Sequence, residues 1–233
     1  MSTAPYDLIA PEYYEASHQT SRNFDQTSSH ALQPVRARIP LTGLVLDVGA
    51  GRGRCNEFLG INPERVIQLD DSQRMLEVIP REACMLRVLH QAECLPFFNT
   101  EFSFVASFLC DPFLGLNFLH EAYRVLAPGG LFIATTPSYE WGAPLRAHLG
   151  ISPFETRFIT REGKVVVPSV LIPRNKLIEM LEVAGFKRDK VRVSCHRLPH
   201  DVAPISPDII LPAETLRLGV HELDILYLIE AKK

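Results

Sequence analysis

Little in the chain would tie it to an oxidising compartment, a bilayer or a polyanion. Its 233 residues include only five cysteines, at positions 55, 84, 94, 110 and 195, odd in number and scattered. They form no C-x-x-C pair, so neither a disulfide framework nor a structural zinc is expected. No apolar run is long enough to span a bilayer. The first thirty residues carry Asp7, Glu12, Glu15 and Asp25 in place of an apolar signal-peptide core. These absences lead to the expectation of a reducing, cytoplasmic protein without membrane partners. An excess of positive charge is missing too. A net charge of −3 and a pI near 6.2 give no electrostatic reason to expect nucleic acid. Internal repeats and low-complexity segments are not apparent either. What remains is a hydrophobic fraction of 46%, ample for a sizeable core, in a chain long enough for one large domain.

The chain is organised around Leu44 to Arg54. Leu44-Val45-Leu46-Asp47 reads as a short buried strand. Gly49, Gly51 and Gly53 follow at alternate positions, and Cys55-Asn56-Glu57-Phe58-Leu59 makes a plausible helical turn. Strand, glycine turn and helix start together make a nucleotide-type site, because glycine lets backbone approach a ligand closely. The dinucleotide fingerprint G-x-G-x-x-G is not met, since Arg54 stands at its sixth place.

Further strand readings place acidic and amide groups near that turn. A second strand, Arg65 to Leu69, ends in Asp70-Asp71, and Asp70 lies 21 positions beyond Gly49. That spacing suits a carboxylate that accepts from both hydroxyls of a ribose. Ser72 or Asp71 is expected to cap the helix that follows. A third strand, Met85 to Leu89, precedes His90-Gln91-Ala92-Glu93-Cys94-Leu95-Pro96-Phe97. A fourth, Phe102 to Ser107, ends at the crevice with Ser107 and leads to Asp111-Pro112-Phe113. Phe118, Leu119, Ala122, Val125 and Leu126 define an amphipathic helix stopped by Pro128-Gly129-Gly130. Leu131 to Thr136 is the fifth strand, and Phe186–Val193 and Asp224–Ala231 read as the last two. Lys176 to Ala184 is a helix ended by Gly185.

Asp47-x-Gly49-x-Gly51-x-Gly53, Asp70-Asp71-Ser72, Ala92-Glu93-Cys94-Leu95-Pro96-Phe97 and Arg124-Val125-Leu126-Ala127-Pro128-Gly129-Gly130 occur in that order. This succession resembles the class I S-adenosylmethionine (SAM)-dependent methyltransferases, in particular the small-molecule "type 11" group. The resemblance covers roughly residues 43–137. It implies a Rossmann-like α/β fold, a mostly parallel seven-stranded sheet with helices on both faces and its last strand antiparallel. It also implies SAM as cofactor and a small-molecule methyl acceptor as partner. The cofactor-binding residues so implied are Asp47, Gly49, Ala50, Gly51, Gly53, Asp70, Asp71, Gln91, Ala92 and Ser107. Gln91 replaces an acidic residue that binds the adenine amino group in relatives, Asp71 a usually apolar residue, and Ser103 an aspartate. Those departures leave a non-methylating SAM-binding enzyme or a SAM sensor as the alternative, with a nicotinamide-dependent oxidoreductase further behind.

One domain is expected over 1–233, with four parts. Residues 1–42 would be an N-terminal helical lid presenting Tyr6, Tyr13, Tyr14 and His18. Residues 43–137 are the SAM-binding core. Residues 138–173 form a flap over the acceptor pocket, with a hairpin turn at Arg161 to Lys164. Residues 174–233 complete the sheet. Histidine is the usual base where an acceptor must lose a proton. His18, Asp111 and His196 are the candidates, none singled out by spacing. His196 with Cys195 or His200 has no fourth ligand at a known spacing, so no metal is expected.

Overall fold

The computed structural model describes residues 4–13, 15 and 18–233. Branched and aromatic runs form strands β1 (Leu44–Val48), β2 (Val66–Asp70), β3 (Leu86–Leu89), β4 (Phe102–Ser107) and β5 (Leu126–Pro137). A hairpin of β6 (Glu155–Thr160) and β7 (Gly163–Pro168) stands apart, before β8 (Val191–Arg197) and β9 (Asp224–Lys232) complete the main sheet. That sheet has seven strands in the order β3-β2-β1-β4-β5-β9-β8. It is parallel except where β9 runs against β5 and β8. The chain reverses direction across the sheet between β1 and β4, a topological switch point where such sheets open a crevice.

Seven helices are described: α1 (Gln19–Leu32), α2 (Arg54–Leu59), α3 (Gln73–Val78), α4 (Leu116–Val125), α5 (Tyr139–Leu149), α6 (Arg174–Val183) and α7 (Pro207–Thr215). None is long and apolar enough to cross a membrane. Side chains of a strand alternate between faces, so each strand feeds two cores. Leu46, Val48, Val105 and Phe132 meet Phe118 and Leu119 of α4 and Leu177 and Leu181 of α6. Val45, Phe104, Ala106 and Ile133 meet Phe24 and Leu32 of α1, Phe58 of α2, Trp141 of α5 and Ile209 of α7.

Several boundaries differ from the sequence reading. The first long helix starts at Gln19 and gives way at Gln33–Arg38 to a 3-10 helix around Pro34. Pro128-Gly129-Gly130 does stop α4, but it already belongs to β5, where Gly129 N–H donates to Lys233 O at 2.9 Å. The penultimate strand begins at Val191 rather than Phe186. Phe186 is drawn instead into the core, edge-on to Tyr123 and stacked with Phe132. Ser194, Cys195 and His196 prolong that strand beyond the expected Val193 and pair with β9. Helices α5 and α7 form although Pro144 and Pro212 lie inside them, where proline removes a helical N–H. They persist because their apolar faces bury each other's flank, with Trp141 Nε1 donating to Asp208 O at 2.8 Å.

Phe118 is fully buried between Phe113 and Phe132. Phe118→Ala is expected to lower the unfolding free energy by about 3–5 kcal/mol, measured by urea denaturation. A loss below about 1 kcal/mol would show that α4 is not packed as described.

Candidate functional site

The carboxyl ends of β1, β2 and β4 open into a cavity of about 210 Å³. Its floor is the glycine turn. Gly49 adopts φ +66°, and a Cβ there would lie 2.6 Å from the Phe113 ring, so no larger residue fits without moving Phe113. Ala50 N–H donates to Leu69 O at 3.0 Å, and Gly51 N–H donates to Asp70 Oδ2 at 2.9 Å. The other Asp70 oxygen accepts from Ser72 N–H, also at 2.9 Å. Ser72 in turn caps α3 by accepting from Met75 N–H, the capping role foreseen for it or Asp71.

Eight of the ten residues read as cofactor-binding line this cavity: Asp47, Gly49, Ala50, Gly51, Asp70, Asp71, Gln91 and Ala92. Two do not. Gly53 faces away, where an added Cβ would strike Gln68 Nε2 at 2.8 Å, so its place behind the turn is a packing requirement. Ser107 is fully buried and donates to Val48 O at 2.8 Å, tying β4 to β1 beneath the site.

None of the three candidate bases lines the cavity. His18 stands before α1 with its ring 5.9 Å from Phe158 of the hairpin. Asp111 is buried and accepts from Ser169 Oγ, to which Arg146 Nη2 also donates at 2.6 Å. That network holds the segment after the hairpin against the end of β4. His196 lies on the far edge strand with Nε2 3.0 Å from Ser194 Oγ. Among the described residues no three His, Cys, Asp or Glu side chains gather as a metal ion would require.

Sequence reasoning missed much of the wall. Asp25 and Ser28 come from α1, Arg54 and Phe58 from α2, and Phe108, Leu109, Pro112, Phe113 and Pro168 from the mouth. His90 also lines it, with its backbone N–H donated to Asp70 O at 3.0 Å. Leu109 carries φ 53°, a left-handed conformation uncommon for a non-glycine residue. Thr135 holds it there, its Oγ1 accepting from Leu109 N–H and its carbonyl from Cys110 N–H, both at 3.0 Å. Of the N-terminal aromatics, Tyr6 and Tyr13 line the cavity, whereas Phe24 packs edge-on to Trp141 in the core. Tyr14 lies outside the described residues. Asp7 Oδ1 accepts from Ser72 Oγ at 2.6 Å and from Arg74 N–H at 3.1 Å, pinning this cover to α3.

Burial dominates the electrostatics. It pushes the Asp47 carboxyl up to about 8, with the Asp70 charge adding to the effect. It raises Asp70 to about 6, against the pull of the Ser72 and Gly51 N–H groups. Asp25 is likewise raised by burial, in spite of its ion pair with Arg54.

Residues 46–134 match the family model described as "Methyltransferase domain". A malonyl-[acyl-carrier protein] O-methyltransferase of Enterobacter lignolyticus is 29% identical over 170 residues, covering 69% of this chain and 64% of that protein. The chain therefore spans less than two thirds of that curated relative's length. A Haloferax volcanii methyltransferase solved in complex with the Trm112 methyltransferase activator superposes with TM-score 0.71. Its identity is 18%, over 100% of this chain and 99% of that one. Phosphoethanolamine N-methyltransferase 2 of Haemonchus contortus, solved with bound SAM, gives TM-score 0.60 at 14% identity, over 100% of this chain and 60% of that one.

The Asp47 carboxyl sits above its ordinary value of 3.8, so between about pH 4 and 8 the folded chain binds more protons than the unfolded chain. Its contribution to stability therefore falls as pH rises through that window and levels off above it. For ligand-free protein, the unfolding free energy of Asp47→Asn relative to wild type is expected to rise between pH 4 and 8 by on the order of a few kcal/mol. Denaturant melts at several pH values would read it, and a difference independent of pH would refute it.

Proposed function

We propose that this chain, whose residues 46–134 match the methyltransferase-domain model, is a class I SAM-dependent methyltransferase that binds SAM across the glycine turn and methylates a small acceptor entering at Phe108 and Phe113. The observation that carries this reading is one cavity that joins the ends of β1, β2 and β4 and has Asp70 beside the turn. Each Asp70 oxygen accepts one backbone N–H. A carboxylate has about four lone-pair sites, so two are left to fix the vicinal hydroxyls of a ribose. Gln91 and Ala92, past the end of β3, are placed for the adenine edge, with the Gln91 amide oxygen as a neutral acceptor. Bare backbone at Gly49 admits the ligand chain where any Cβ would already be crowded.

SAM brings a methyl group already activated on a sulfonium. The protein's part is to hold acceptor and methyl in line and at contact distance. Phe108, Leu109, Pro112, Phe113 and Pro168 form an apolar mouth that excludes water around the reacting atoms. Thr135 keeps Leu109 in its left-handed turn at that mouth. Tyr6 and Tyr13, anchored through Asp7, act as the lid, and the β6–β7 hairpin bounds the acceptor side.

For the acceptor we favour a carboxylate on a small acyl group. The carboxylate oxygen is already ionised, so its methylation needs no general base. The name of the Enterobacter relative describes an O-methylation of a malonyl group.

Titration calorimetry with SAM and with S-adenosylhomocysteine is expected to show binding to wild type. Asp70→Ala should weaken it about tenfold or more, through loss of a charged hydrogen-bond partner. Wild type that binds neither ligand would sink the cofactor assignment. With binding in hand, methyl-ester formation on short dicarboxylic monothioesters tests the acceptor class, and turnover on amines alone would overturn it.

A further inference from the structure

A buried charge network stands behind the acceptor side of the cavity, outside every contact assigned to the cofactor. Arg146 of α5, Asp111 after β4 and Ser169 after β7 are all buried. The Arg146 guanidinium holds both feet of the β6–β7 hairpin. Its Nη1 donates to Pro153 O before β6 and to Ser169 O after β7, the latter at 2.9 Å. Its Nη2 donates to Ser169 Oγ at 2.6 Å, and that hydroxyl donates onward to Asp111 Oδ2. Asp111 grips the same foot through its backbone, its carbonyl accepting from Val170 N–H at 2.9 Å. Ser169 N–H closes the base of the hairpin by donating to Phe154 O at 3.0 Å.

For merely holding a loop this is an expensive arrangement. Burial raises the Asp111 carboxyl to about 6 and lowers Arg146, so each charge is disfavoured where it stands and is offset by the other through Ser169. Apolar side chains of similar size often stabilise a scaffold as well or better. What a satisfied polar network adds is one fixed geometry, because its bonds are directional. The residues so fixed are the ones beside the cavity. Pro112 and Phe113 follow Asp111 directly, Pro168 precedes Ser169, and all three line the wall. Further out, the hairpin leans on the N-terminal cover, with Phe158 against Tyr13 and Arg161 against Glu12 and Glu15. Its feet are therefore where it is joined to the end of β4.

We infer that Asp111, Ser169 and Arg146 are positioning residues that set the acceptor wall, holding Pro168 of the hairpin in register with Pro112 and Phe113. The inference rests on the proposed entry of the acceptor at this mouth. Loss of the Ser169 hydroxyl leaves a buried guanidinium and a buried carboxylate without their bridge. The hairpin foot then moves off the end of β4 and the acceptor wall widens, while Asp70 and the glycine turn keep their contacts.

The test compares full-length wild type with Ser169→Ala and with Ser169→Thr, which restores the hydroxyl, each checked for folding by circular dichroism. Three quantities are read: S-adenosylhomocysteine affinity by calorimetry, amide hydrogen exchange over residues 153–170, and methyl-ester formation from SAM and a malonyl N-acetylcysteamine thioester. Ser169→Ala is expected to bind S-adenosylhomocysteine within about twofold of wild type and to exchange the Val170 and hairpin amides about tenfold faster or more. Its KM for the thioester should rise about tenfold or more with kcat within about threefold, the pattern of a binding wall displaced. Ser169→Thr should return exchange and KM towards wild type. Asp111→Asn, which keeps the shape and removes the charge, should repeat the Ser169→Ala pattern and carries the comparison if that variant does not fold. Exchange and KM unchanged in Ser169→Ala overturn the inference. An equal loss of S-adenosylhomocysteine affinity overturns it too, since that marks a general loosening of the fold. Wild type that binds S-adenosylhomocysteine yet esterifies no thioester defeats the acceptor reading and not the network, and the exchange rates alone then uphold or overturn the inference.

Discussion

The site depends on a carboxylate that reaches back from the end of one parallel strand to the turn after its neighbour. Asp70 terminates β2, and its Oδ2 accepts from Gly51 N–H. The contact holds the glycine turn in a shape that only residues tolerant of positive φ adopt. The adjacent Ala50 N–H donates to Leu69 O, so backbone and side chain of the same strand end grip two consecutive residues of the turn. Asp47 supports the turn from its own strand, with its charge disfavoured by burial and by Asp70. Two carboxylates held this close in a buried place would be a liability in a scaffold. They make sense where donors from a ligand complete them.

From this anchor the cavity divides by chemistry. Beside β2 and β3, Asp70, Asp71, Gln91 and Ala92 offer acceptors and backbone. Beside α1 and α2, Asp25 and Arg54 set opposite charges against each other. Beyond the end of β4 the wall is aromatic and apolar. The cover belongs to the same design. Asp7 ties the first described segment to the cap of α3, while Glu12 and Glu15 accept from Arg161 on the hairpin. Segments on two sides of the mouth are thus joined by charge-assisted contacts.

Much of the frame was legible in the chain. β1, β2, β4 and β9 are apolar enough to be read within a residue or two, and the amphipathic period of α4 survived intact. The glycine turn and Asp70 were legible because their chemistry is local: a strand end, a turn and an acid at fixed spacing; Gln91 and Ala92 were implied only by the family resemblance. Less legible were α5 and α7, whose prolines argue against helix until Trp141 and Ile209 are seen to bury each other's surroundings. Asp111 and His196 shared a similar fate. Each carries a chemically suitable group, and each is engaged elsewhere, by Ser169 and by Ser194.

What the sequence determined by itself is the wall of the cavity around the glycine turn and Asp70, because strand, turn and acid lie within one stretch and their relation is set by short-range geometry. What only the tertiary structure decided is the other half. Asp25 and Arg54 are 29 residues apart in the chain, yet they form an ion pair. Phe113 packs against Gly49 from the end of another strand, and Pro168 arrives from the hairpin. No local propensity brings such residues together. They meet because the two faces of the sheet must each be covered, and burying Phe24 and Leu32 of α1 against that sheet turns Asp25 and Ser28 towards the cavity.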